Sequence, residues 1–163
     1  MQSLLQIIDF SDEYKEQVIE LIVSIQQKEF DIPIGAEEQP DLEKVQTFYQ
    51  QRNGNFWLAL INKQVVGTVA LLDIGNNQAA LRKMFVHAEF RGPNYGIAKA
   101  LLARLLNWSE EKEINEIYLG TTSKFLAAHR FYEKNNFQET SKSELPKSFP
   151  VMQVDTKFYK CTI

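Results

Sequence analysis

The sequence predicts an α/β protein: a mixed, mostly antiparallel sheet with one parallel strand pair, flanked by helices. Three observations carry this. Segments 56–61, 65–74 and 80–87 are rich in β-branched and aromatic residues and are separated by Asn62-Lys63-Gln64 and Gly75-Asn76-Asn77, so they read as an antiparallel meander. A glycine-bearing loop, Phe90-Arg91-Gly92-Pro93-Asn94-Tyr95-Gly96-Ile97-Ala98, then runs into an amphipathic helix. Its Ile97, Leu101, Leu105 and Trp108 form one stripe, away from Lys99, Arg104 and Glu111. A short apolar strand at 116–120 follows that helix, and such a crossover makes it parallel to the strand before the loop.

The remaining elements follow in order. Residues 4–10 read as a first strand. Ser11-Asp12-Glu13 offers a cap and an acidic first turn to a helix carrying Tyr14, Val18, Leu21, Ile22 and Ile25 on one face. Segment 29–40 is irregular. Pro40-Asp41 opens a second helix, with Leu42, Val45, Phe48 and Tyr49 inward and Gly54 ending it, placed to wall a cleft. Thr121-Thr122-Ser123 offers caps to a helix over 124–135, whose Phe125, Ala128, Phe131 and Tyr132 share a face and which Asn136 ends in the left-handed conformation. A loop with Pro146 and Pro150 leads to a last strand at 151–161.

Composition bounds the function. A chain of 163 residues, 44% apolar and 24% charged, fits one domain, here 1–163. A net charge of −3 with scattered cations argues against a nucleic-acid surface. One cysteine, Cys161, builds no internal disulfide, and no C-x-x-C or H-x-x-x-H spacing offers a metal site. The first residues lack the basic flank and apolar run of a signal peptide, and no stretch is long enough to span a bilayer. The expectation is a soluble protein of the reducing cytoplasm, without a membrane partner.

The glycine loop points to a phosphate. Unpaired N–H groups and the dipole at a helix start attract anionic oxygens, and Gly96 and Ala98 let a ligand come close. Neither G-K-[ST] nor G-x-G-x-x-G is present, which excludes the common nucleotide triphosphate and dinucleotide loops and leaves another diphosphate-bearing cofactor.

The order of elements resembles the GNAT superfamily of acyl-CoA-dependent N-acetyltransferases over almost the whole chain. Two segments carry the likeness. Residues 81–92, LRKMFVHAEFRG, are similar to the family's cofactor strand entering its loop, and residues 128–137, AHRFYEKNNF, to its A-x-x-F-Y-E-K-x-G-F helix. The resemblance implies acetyl-CoA as cosubstrate and an amine acceptor attacking it directly in a ternary complex. It implies cofactor contacts from Met84, Phe85 and Val86, where a bulge would splay two parallel strands, and from Arg91, Gly92, Asn94, Tyr95, Gly96, Ile97 and Ala98. Pro93 stands where the family has Gln or Arg. Either Arg91 takes that role across a longer loop, or amides from Asn94 to Ala98 hold the pyrophosphate and the arginine sits at the rim. Phe125 replaces a cofactor-touching Asn of many relatives.

The same resemblance makes Tyr132 the acid that protonates the departing thiolate, against a bland reading as a core aromatic. For the base, Glu29 leads, then Asp31, Glu37 and Glu38. His129 reads as a surface residue beside Arg130, His87 as a strand cap or phosphate contact, Trp57 and Trp108 as core or interface residues, and Cys161 as packed. The acidic residues of segment 29–39 favour a cationic small-molecule acceptor. An acyl-CoA-binding regulator without turnover and a protein or peptide N-acetyltransferase are the competing classes, and a homodimer is compatible with all three.

Overall fold

A computed structural model describes residues 4–92 and 94–163; Pro93, with its proposed place in the family loop, lies outside them. The strands are β1 (Leu5–Asp9), β2 (Asn55–Ile61), β3 (Gln64–Gly75), β4 (Gln78–Val86), β5 (Glu116–Thr121), β6 (Gln138–Thr140) and β7 (Lys157–Thr162). They form one sheet in the order β1-β2-β3-β4-β5-β7-β6, antiparallel throughout except for β4 and β5. Both meander turns place consecutive residues at positive φ, Asn62 and Lys63 at 52° and 64° and Asn76 and Asn77 at 55° and 58°. This backbone suits the twist of a hairpin, and asparagine adopts it readily.

Helices α1 (Lys15–Ser24), α2 (Val45–Phe48), α3 (Ile97–Glu111) and α4 (Leu126–Lys134) cover both faces. Side chains alternate across β2. Trp57, Ala59 and Ile61 pack with Leu101, Leu105 and Tyr132 of α3 and α4. Phe56, Leu58 and Leu60 pack with Val18, Ile22, Val45 and Tyr49 on the α1 and α2 side. Gly67 on β3 lets α3 approach, for a Cβ there would lie 3.0 Å from Ile97 Cγ2 and 3.1 Å from Leu101 Cδ1.

Several expectations are corrected. The second helix is broken: Pro40–Glu43 is a 3₁₀ turn, Lys44 leaves helical backbone at φ −131°, ψ 40°, and α2 keeps only four residues. Leu42, Val45 and Tyr49 still point into the core. The Ser11 side chain caps nothing and bonds Glu13 instead. The last strand begins at Lys157, because Met152–Asp155 forms a turn closed twice: the Asp155 N–H donates to the Met152 carbonyl at 3.0 Å, and the Met152 N–H donates to Asp155 Oδ2 at 2.8 Å. The short polar strand β6 was not expected.

Candidate active site

The site arises where the sheet comes apart. The β4 and β5 strands pair only at Gln78 with Glu116, Ala79 with Ile117 and Ala80 with Tyr118. Beyond that, β4 carries a bulge: Thr68 of β3 faces Phe85, but Ala70 faces Arg82, so one extra β4 residue is accommodated. Lys83 sits in it at φ 56°, uncommon for a side-chain-bearing residue, and its carbonyl accepts the Thr68 hydroxyl at 2.7 Å. The bulge predicted at 84–86 is thus centred on Lys83 and Met84. It bends β4 from β5 and opens a fork.

A cleft of about 950 Å³ runs through this fork, touching residues from both faces of the sheet. On the α3 side it is lined by Met84, Val86, Arg91, Gly92, Gly96, Ile97 and Ala98, and Phe85 lines it from the opposite face of the sheet. Gly96 takes the left-handed conformation at φ 61° and starts α3; the first helical bond to its carbonyl comes from Ala100 at 2.9 Å, so the N–H groups of the first turn have no acceptor within the helix among the described residues. These unpaired donors beside small residues fit a pyrophosphate. Asn94 and Tyr95 are exposed and do not line the cleft.

Arg91 is engaged elsewhere. Its guanidinium forms a two-pronged ion pair with Glu29, the outer bond at 2.9 Å, and its Nε donates to the Val86 carbonyl at 2.8 Å. Glu29, expected as the base, is therefore the partner of Arg91 and does not line the cleft; neither do Asp31, Glu37 and Glu38. Asp31 contributes only its carbonyl, which accepts from Lys124 Nζ at 3.1 Å.

Tyr132 lines the cleft from α4, and burial pushes its phenol well above the usual tyrosine range. Phe125 packs edge-on against Phe30 at 4.6 Å and Phe85 at 6.2 Å, joining the start of α4 to the segment that follows α1 and to β4. His129, expected at the surface, is buried, with Nε2 2.9 Å from the Thr122 carbonyl. His87 Nδ1 accepts the Glu89 N–H at 3.1 Å as a local cap. Cys161 is buried, which raises its thiol and leaves it unreactive.

Two groups escaped the sequence reading. Asp155 is the carboxylate that lines the cleft among the described residues. Its Oδ2 accepts the Met152 N–H at 2.8 Å, and burial raises its pKa. It lies against Gly120 of β5, where a Cβ would come within 2.6 Å of Oδ2, so a glycine is what admits the carboxylate to the fork. The second is a polar chain beneath the bulge. Lys83 Nζ meets Asp41 Oδ2 at 3.5 Å and donates to Gln39 Oε1 at 2.5 Å; Gln39 and Gln26 bond reciprocally at 2.8 and 3.2 Å; the Tyr49 hydroxyl donates to Asp41 at 2.5 Å. Burial lowers Lys83 to about 8, against the pull of Asp41. No helix among the described residues is long and apolar enough to cross a membrane, and no cluster there could hold a metal ion.

Residues 19–137 match the acetyltransferase (GNAT) family. The solved GNAT-family acetyltransferase of Staphylococcus aureus Mu50 is 43% identical, with a TM-score of 0.94 over 98% of this chain and 99% of that one. An acetyltransferase of Streptococcus agalactiae 2603 is 29% identical, with a TM-score of 0.93 over 98% of each chain. The N-acetylaspartate synthetase of Danio rerio is 36% identical over 106 residues, 64% of this chain but 37% of that protein. The chain thus spans little more than a third of that relative's length. With a family match across most of its length and a fork, glycine-started helix and mixed sheet to accompany it, the chain belongs to the GNAT family of acetyltransferases.

Proposed function

We propose that the protein transfers the acetyl group of acetyl-CoA to the primary amine of a small molecule, by direct attack within a ternary complex. The observation that carries this reading is the continuity of one cleft from the unpaired α3 amides, through the fork, to Tyr132 and Asp155. A thioester supplies an activated acetyl group with a thiolate as leaving group. The free β4 edge beyond Ala80 offers backbone donors near its carbonyl, and the α3 amides take the pyrophosphate, with Arg91 at the rim. An alkylamine of pKa about 10 is almost wholly protonated at neutral pH, so it has to give up a proton before attack. Asp155, raised by burial and lining the cleft, is placed to accept that proton, a role that Glu29 in its pair with Arg91 does not fill. As the C–N bond forms and the C–S bond breaks, the Tyr132 hydroxyl gives its proton to the sulfur.

The solved structure of a Thermoplasma acidophilum PaiA N-acetyltransferase with coenzyme A shares this fold at a TM-score of 0.74. Relatives named N-acetylaspartate synthetase support an amino-acid amine as acceptor. The test is coenzyme A release from acetyl-CoA across amino acids, polyamines, amino sugars and peptides, with Tyr132→Phe alongside. Turnover on a small amine, slowed on the order of 10- to 100-fold in the variant, is expected, since a thiolate of pKa about 8.5 leaves without full protonation. Acetyl-CoA binding with no turnover on any amine would overturn the enzymatic reading in favour of a regulator, and turnover on peptides alone would overturn the small-molecule acceptor.

A further inference from the structure

Arg82 is the first outward residue of β4 beyond the last rung shared with β5, on the face opposite α3. It lines the cleft, and its guanidinium lies over two aromatic rings, 5.7 Å from the Phe48 centroid and 5.9 Å from that of Tyr49. Its one hydrogen bond among the described residues is to Met152 Sδ at 3.3 Å, a weak acceptor. No carboxylate lies within ion-pairing distance of it there. Its neighbour Lys83 is in the opposite condition, spoken for by Asp41 and Gln39. A half-buried guanidinium with most of its donors unused, held against two aromatic rings, suits a two-pronged oxygen ligand.

A second observation gives the ligand its other end. Asp155 contacts the same residue, its carboxylate accepting the Met152 N–H at 2.8 Å where Arg82 donates to the Met152 sulfur at 3.3 Å. The two charges share the wall formed by the 149–155 loop and feel each other's field, the guanidinium partly offsetting the effect of burial on the carboxyl, but they form no ion pair among the described residues. The acidic residues that favoured a cationic acceptor lie away from this wall. Resting on the acetyltransferase reading above, we propose that the acceptor carries a carboxylate as well as its amine, the carboxylate seated on the Arg82 guanidinium while the amine faces Asp155. The acceptor class is then the zwitterionic amino acids, and polyamines are excluded because they would bring a second cation against Arg82.

The test compares the standard L-amino acids with their α-carboxamides, in both acetyl-transfer rate and calorimetric binding to the coenzyme A-loaded protein. For the best amino acid, kcat/KM about tenfold or more above that of its amide is expected, the loss of a charge-assisted bond. Arg82→Gln should bring that ratio close to one, chiefly through KM. Arg82→Lys should keep part of it as a point charge, and Arg130→Gln, at an exposed position on α4, should leave it unchanged. An unaltered ratio in Arg82→Gln with a native-like melting temperature, or a preference for the amide or a polyamine, would overturn the proposal. Binding separates the two failures: no turnover but selective amino-acid binding lost in Arg82→Gln defeats only the acetyltransferase reading, whereas equal binding of acid and amide defeats this one.

Discussion

Replacing Lys83 by Met tests whether the bulge is held from below by charge. Methionine keeps the length and apolar stem of the side chain but removes the ammonium from Asp41 and Gln39. The two charged side chains are 7% and 8% exposed, so the abandoned Asp41 carboxylate cannot turn to water. Removing one partner of a buried pair typically costs about 3–5 kcal/mol, and the Tyr49 hydroxyl, still bonded to Asp41, puts the expected loss near the lower end, about 3 kcal/mol. Adding Asp41→Asn should recover part of it, giving a coupling energy of about 2 kcal/mol in a double-mutant cycle. The pH dependence has a definite sign. Lys83 is lowered to about 8 in the fold from an ordinary value of 10.5, so between those values the unfolded chain holds a proton that the folded one has shed. Stability from this group therefore rises with pH over that window, by about 1 kcal/mol from pH 7 to pH 9, and Lys83→Met lacks the increment. Urea unfolding of the four proteins at both pH values reads all of this. Additive single losses, or equal pH slopes in native protein and Lys83→Met, would refute the buried pair as the support of the bulge.

Two further substitutions probe packing and chemistry. A Cβ at Gly54 would fall 2.3 Å from the Tyr49 carbonyl and 2.7 Å from that of Leu71, both backbone atoms, so Gly54→Ala should cost about 3 kcal/mol or more; Gly67→Ala, whose nearest contacts are movable side-chain methyls at 3.0 and 3.1 Å with the Phe85 carbonyl at 3.3 Å, should cost about 1 kcal/mol. Thermal unfolding that ranks them the other way would show the β2 entry to be pliable. The acid limb of the kcat/KM profile should have its midpoint above the ordinary carboxylate value, because burial raises Asp155, and Asp155→Asn should abolish that limb and slow transfer. A limb unchanged in the variant would return the base to another group.

The fold was largely legible because its signals are local. Hairpins at Asn62-Lys63 and Asn76-Asn77, the α3 stripe and the Asn136 stop each depend on a few adjacent residues. Where tertiary contacts decide, the sequence misled. Residues 40–48 have helical spacing, yet the fold breaks them at Lys44 while Asp41 and Tyr49 bond each other in the interior. Strand β6 is Gln-Glu-Thr, polar and only three residues long, and exists because β7 provides a ladder for it. At the site, the loop glycines and Tyr132 have a recognisable setting, whereas Asp155 falls in a stretch whose composition predicts strand. Its access depends on Gly120, thirty-five positions earlier, a pairing that no window of sequence contains. The resemblance places Glu29 at the acceptor wall, but Arg91, sixty-two positions later, claims it, also a long-range event.

The Glu29–Arg91 pair has a kinetic meaning. It ties the loop before α3 to the turn that follows α1, Ile25–Glu29, and both side chains keep about a third of their surface in water, 31% and 38%. Exposed pairs of this kind contribute about 0–1 kcal/mol, so the tie is broken in roughly one half to one sixth of molecules at any instant. A fastening this weak reopens far faster than a catalytic cycle, leaves the loop close to its bound shape between openings, and costs an arriving diphosphate almost nothing to displace. Rising ionic strength should shift the balance towards the untied loop without unfolding anything around it.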